Sequence, residues 1–170
     1  MILATHSVAG AVTAIILRKH PVLAFLAAFS SHFILDAIPH WDYKLDSQVD
    51  NPRSPFGRKF VFDKRFLNDI LKTGIDFGLG SSLSLFIAGI LFPDYLLITG
   101  MGSVAGALPD FLQLIYYLFP DSPLAYLQRF HFRIHAEKRL DGFPVIGIAT
   151  QAVIVAVCIV ILNYWCLDRF

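Results

Sequence analysis

The chain has 170 residues, 56% hydrophobic and 16% charged, with a mean hydropathy of +0.61, against about 45–50% apolar and about 25% charged in ordinary soluble domains, which argues against a water-soluble globule. Fourteen Lys+Arg against 13 Asp+Glu give a formal net charge of +1, which excludes the basic excess of a nucleic-acid binder, while 16 Phe, 6 Tyr and 2 Trp exclude a solvated coil. The expected class is one all-α domain over residues 1–170, a polytopic membrane bundle of about five helices.

In chain order, apolar runs cover residues 2–17, 21–38, 70–92, 95–119 and 143–167. The last three hold 23 to 25 residues, enough to cross about 30 Å of hydrocarbon at a rise of about 1.5 Å per residue. The first two, of 16 and 18 residues, either cross the bilayer or form a shallow hairpin about Arg18-Lys19-His20-Pro21, where proline suits a first helical turn; a full crossing is the expectation. No basic segment precedes the first run, so no removable signal peptide is expected. Residues 42–69 read as a polar loop carrying Lys44, Arg53, Arg58, Lys59, Lys64 and Arg65. A second basic connection, 120–142, carries Arg129, Arg133, Lys138 and Arg139, whereas Pro93-Asp94 is a short turn. The excess of Lys and Arg puts both long loops and the N-terminus in the cytoplasm, with Arg18-Lys19 alone against the rule. Cys158 and Cys166 lack metal-site spacing and read as apolar packing residues.

Ionisable side chains in apolar runs are costly, so each is a candidate for chemistry. His6, His32, Asp36, Asp76 and Asp110 all map toward the cytoplasmic ends of their runs. His40 and Asp42 follow the second run, and His131 and His135 lie in the connection after the fourth. His32 and Asp36 are at i and i+4, which stacks them on one helix face within reach of one zinc-sized ion. Pro39 then ends or kinks the helix and swings His40 and Asp42 over its mouth. The competing reading is a helix end with a plain His–Asp hydrogen bond. His131 and His135 repeat the spacing on a short amphipathic helix. Arg129 and Arg133, on a neighbouring face, are candidates for a substrate phosphate; otherwise they snorkel to anionic headgroups. Gly102 and Gly106 fit the small-xxx-small pattern of close helix approach. Asp110 follows the kink expected at Pro109 and is a metal ligand or a structural acid. Asp76 is a ligand, a supporting carboxylate or a partner for Lys72. Near Gly10, His6 is a ligand unless Thr5 caps the helix and leaves it at the interface.

Together these are nitrogen and oxygen donors without a thiolate, too many for one tetrahedral ion. Two or three divalent ions, with zinc first and manganese or iron behind it, suit them better, as in multinuclear phosphoesterases. Asp42 or Asp76 would then take the proton from the attacking water. A site at headgroup level makes a membrane amphiphile the expected substrate. The segments "THSVAG" (5–10), "SHFILDAIPHWD" (31–42), "GALPD" (106–110) and "HFRIH" (131–135) resemble the motif series of the bacterial inner-membrane metal-dependent hydrolases, a family compared with zinc-dependent phospholipase C. The resemblance implies a phosphoester hydrolase in the bacterial cytoplasmic membrane, with His6, His32, Asp36, Asp110, His131 and His135 at the metal site. Two other classes compete. A structural or degenerate metal-binding module uses the ion as a staple, and a divalent-metal transporter requires polar groups reaching both faces.

Overall fold

The computed structural model describes all residues except 55, 121, 137–139, 141 and 168–170, and excepting also the side chains at 166 and 167. Lys138, Arg139 and the Cys166 side chain therefore lie outside the described residues. Each apolar run forms a helix: α1 (Leu3–Ile16), α2 (Pro21–Asp36), α3 (Lys64–Leu91), α4 (Leu96–Leu118) and α6 (Pro144–Leu167), with α5 (Leu124–Ile134) between the last two. Pro21 opens α2, and α2 ends three residues before Pro39. Pro109 sits inside a continuous α4.

The stretch 42–69 is more than a loop. It folds a two-stranded antiparallel hairpin, β1 (Gln48–Asp50) and β2 (Arg58–Phe60), pairing Gln48 with Phe60 and Asp50 with Arg58. Gly57, at φ 69°, supplies the left-handed residue before β2, a conformation that a Cβ would strain. α3 also starts earlier than its apolar run, because Asp63 caps it by accepting the Arg65 N–H at 2.9 Å. Hydropathy does not register that first polar turn, which capping sets.

α1 is the interior helix. Ten of its 14 residues are buried, and it packs on α2, α3, α4 and α6. Its contact with α4 is made backbone to backbone: a Cβ on Gly10 would strike the Gly102 carbonyl and Gly106, and one on Gly106 would strike the His6 carbonyl. The small-residue spacing read from the sequence is thus used, against α1. At the far end, Ile15, Phe92 and Leu162 share one buried cluster with Val8, Val12 and Ala88.

The opposite end is polar. α1 has no side-chain cap of its own, yet its first N–H groups, which no helix can satisfy internally, are taken by other helices. The Ile2 N–H donates to Gln151 Oε1 at 3.0 Å, and the Leu3 and Ala4 N–H groups donate to the Asp76 carboxylate at 2.7 and 3.3 Å. Thr5 does not cap; its hydroxyl donates to Gln151 at 3.3 Å.

Three helical spans, Lys64–Leu91, Pro93–Leu118 and Pro144–Trp165, are long and apolar enough to cross a membrane. Their outer faces expose Leu79, Phe86, Ile90, Leu97, Val145 and Val153, as lipid-facing surfaces do. α1 and α2, with 14 and 16 residues, reach only about 21 and 24 Å.

Packing makes a sharp contrast among the glycines. Gly10→Val should cost about 1–3 kcal/mol or prevent folding, whereas Gly78→Ala, at a position with open space around it, should be neutral or slightly stabilising. Thermal unfolding of the two variants in detergent measures the difference.

Candidate metal centre

α2 carries His32 and Asp36 in its last turns, and the expected i, i+4 stacking places His32 Nε2 3.2 Å from Asp36 Oδ2. α5 folds back from the end of α4 and inserts His131, whose Nε2 lies 2.8 Å from the same Oδ2 and 3.2 Å from His32 Nε2. α4 adds Asp110, with Oδ1 3.5 Å from His32 Nε2 and 4.0 Å from His131 Nε2. A tetrahedral ion with ligands at about 2.0–2.2 Å spaces them about 3.3–3.5 Å apart. The separations above, 2.8 to 4.0 Å, bracket that spacing, and the four residues form one group able to hold a metal ion.

The tautomer of His32 fits as well. Its Nδ1 stands 2.8 Å from the Gly106 carbonyl oxygen, which can only accept, so in the neutral ring the proton is on Nδ1 and the Nε2 lone pair faces the cluster. Such outer partners fix the ring orientation of metal-binding histidines. His40 repeats the pattern: Nδ1 donates to the Ile38 carbonyl at 2.6 Å, leaving Nε2 to a second group formed by Asp36, His40 and His135. Asp36 belongs to both groups. Its Oδ2 meets His32 and His131, while Oδ1 lies 3.1 Å from His6 Nε2 and 3.9 Å from His40 Nε2.

At this second group a cation is already in contact. The α-ammonium of Met1 lies 3.0 Å from Asp36 Oδ1, 2.7 Å from His40 Nε2 and 3.2 Å from Asp42 Oδ2, so these donors converge on a positive charge. Burial works to raise the Asp42 carboxyl pKa, but the His40 hydrogen bond and the Met1 ammonium hold it below the ordinary carboxylate range. Burial would likewise lower the Met1 amine, and the charges of Asp36 and Asp42 hold it above its usual value. His32, Asp36 and His131 are buried, whereas the Asp110 side chain is 30% exposed, so the first group is open at Asp110.

The remaining candidates divide. His6 is fully buried, stacks on His32 with ring centroids 3.9 Å apart and touches Asp36, beside the tight groups. Asp42 stands at the rim, 3.2 Å from His40. Asp76 is engaged elsewhere, accepting from Leu3, Ala4 and the Tyr43 hydroxyl. Lys72 does not pair with it; the amine reaches the Lys44 carbonyl and Asp69. Arg129 and Arg133 are exposed. Each is two residues from His131, about 200° around the helix, so both face away from the clusters.

Three participants escaped sequence reasoning: the Met1 amine, the Gly106 carbonyl and Gln151. The last is 2% exposed and clips three segments, donating to the Trp41 carbonyl at 2.8 Å while accepting from Ile2 and Thr5. An amide inside an otherwise apolar run was the signal for it.

Because Asp36 serves both groups, Asp36→Asn should reduce bound zinc more than His40→Ala or Asp110→Asn alone, and His32→Ala with His131→Ala should abolish binding at the first group. Metal content of detergent-purified protein, measured by mass spectrometry after zinc loading, reads the order directly.

Comparison with family models, curated proteins and solved structures finds no match to this chain.

Proposed function

We propose that this protein is a metal-dependent hydrolase of the bacterial cytoplasmic membrane, with its N-terminus in the cytoplasm, that cleaves a phosphoester in a membrane amphiphile. One observation carries the reading: a single buried carboxylate, Asp36, is shared by two groups of metal-binding side chains. The histidine nitrogens and carboxylate oxygens, without thiolate, suit zinc, with manganese or iron as substitutes. His32, Asp36, Asp110 and His131 would hold one ion, and Asp36, His40 and His135 another, with His6 supporting Asp36 from behind. Divalent ions supply Lewis acidity for attack on a phosphoryl group.

The chain's own residues supply the rest. Asp110, partly exposed, marks where a substrate headgroup enters. Asp42, with 26% of its side chain exposed, would accept the proton of the attacking water at Oδ1, since His40 and the Met1 ammonium meet Oδ2. Asp76 suits that role less well, because the start of α1 and the Tyr43 hydroxyl take both of its oxygens. The motif resemblance to the inner-membrane hydrolases supports the same assignment.

Zinc-loaded protein in detergent should release a phosphorylated product from bis-p-nitrophenyl phosphate or from phospholipid micelles. Asp110→Asn should lower that rate at least about 10–100-fold, and chelation should abolish it. Retained zinc without turnover on any phosphoester would make the ion a structural staple instead. Orientation has its own test, in a C158S/C166S background: cysteines at Lys19 and Arg58 should label from opposite sides of sealed vesicles, Arg58 from the cytoplasmic side.

A further inference from the structure

The two arginines that turn away from the metal groups lie on an ordered surface. Tyr126, Arg129, Phe130 and Arg133 are all exposed, Tyr126 by 76% and Phe130 by 48%. Their spacing, i, i+3, i+4 and i+7, makes them one stripe along α5. The opposite face of α5 is fixed to the protein by Gln128 and His131, both buried. The stripe therefore has a defined outward direction. Arg129 lies over the Tyr126 ring, 6.0 Å from its centroid, and among the described residues neither arginine forms a salt bridge.

The depth of this stripe follows from its neighbours. His131 meets Asp110, and α4 continues eight residues beyond Asp110 to Leu118, about 12 Å, so α5 lies alongside the last two turns of a membrane-spanning helix. That is the level of the headgroups, where aromatic rings and arginines collect. On its flank, Phe132 packs on Phe56 with ring centroids 5.5 Å apart, which joins α5 to the hairpin and its exposed Arg58 and Lys59.

We infer that the outer face of α5 is a docking surface for acidic phospholipid headgroups. Arg129 and Arg133, one helical turn apart, are spaced to hold a phosphate in charge-assisted hydrogen bonds, and Tyr126 inserts beside them at the glycerol level, with the Phe130 ring, packed at one edge on Phe33 (ring centroids 5.0 Å apart), flanking it. The occupant is argued from charge complementarity and from continuity with the exposed apolar faces of the spanning helices. It does not depend on the metal groups or on hydrolysis, since the stripe faces away from both.

The full chain, reconstituted in vesicles of equal phosphatidylglycerol and phosphatidylcholine and re-extracted in mild detergent, should retain phosphatidylglycerol over phosphatidylcholine by about tenfold, read by native mass spectrometry. R129Q/R133Q should lose that excess while its elution and zinc content stay unchanged. No excess in the wild type, or an equal excess in the double variant, overturns the inference. Independently of those substitutions, an environment-sensitive dye on Y126C in a C158S/C166S chain should be quenched by headgroup spin-labelled phosphatidylglycerol. Quenching by aqueous iodide with none by the lipid would show a surface turned to water and would equally overturn it.

Discussion

One buried carboxylate organises this protein. Asp36 is 1% exposed, and an ionised carboxylate removed from water costs several kcal/mol unless surrounding groups replace its hydration. Those groups come from separated parts of the chain: the Met1 amine, His6 on α1, His32 one turn earlier, His40 beyond the helix end, and His131 on α5. The need to solvate one side chain thus ties α1, α2 and α5 to a single point. Asp110 then adds a second negative charge near His32 and His131. Two carboxylates and two imidazoles that present Nε2 atoms to one another form a donor set that a divalent cation satisfies better than hydrogen bonds alone.

Close approach of the backbones makes this convergence geometrically possible. Gly10, Gly102 and Gly106 let α1 and α4 touch with no side chain between them. That contact sets the height of His6 and turns the Gly106 carbonyl toward His32 Nδ1. Asp76 and Gln151 hold the first turn of α1 by the N–H groups that a helix start leaves without partners. The two polar residues deep in α3 and α6 are thereby explained without chemistry of their own: they fix the register of the helix that carries His6.

Much of this was legible in the sequence, for definable reasons. Hydropathy marked the helices because lipid rewards long apolar runs, and Pro39 and the i, i+4 pair fixed local geometry around His32 and Asp36; the same spacing at His131 and His135 does not make one chelating pair, because α5 ends at Ile134 and the two imidazoles fall in different groups. What depended on tertiary structure was not legible. The use of Asp76 as a cap for α1 requires knowing that the start of α1 meets the middle of α3, and no local spacing encodes that. The outward turn of Arg129 and Arg133 follows only once His131 is known to point inward, since three residues two apart on a helix cannot share a face. The hairpin was hidden because two three-residue strands in a polar segment carry too little periodicity to register.

The short first helices, too short on their own for a bilayer, follow from the depth of the site. Ile15, Phe92 and Leu162 share one cluster, so α1, α3 and α6 are level at that end. From this level α1 reaches back only to Leu3, where Asp76 takes its N–H, while α3 continues to Lys64. The turns of α3 before Asp76 become polar toward segment 44–46, where Lys72 reaches Asp46 and Asp69. The start of α1, the end of α2 and the metal groups therefore lie level with the polar limit of α3 at Asp76, beneath the turns that continue to Lys64, in a recess that only short helices leave open. Irregular backbone there needs partners for its polar groups. Segment 37–43 meets this condition through Gln151 on the Trp41 carbonyl, the Ile38 carbonyl on His40, and the Ala136 and Leu140 N–H groups that donate to the Asp36 and His40 carbonyls at 2.8 and 2.9 Å. On the proposed reading, a reacting group drawn to Asp110 would come from a molecule whose polar part sits at the inner edge of the headgroup layer, which is where an amphiphile already carries it.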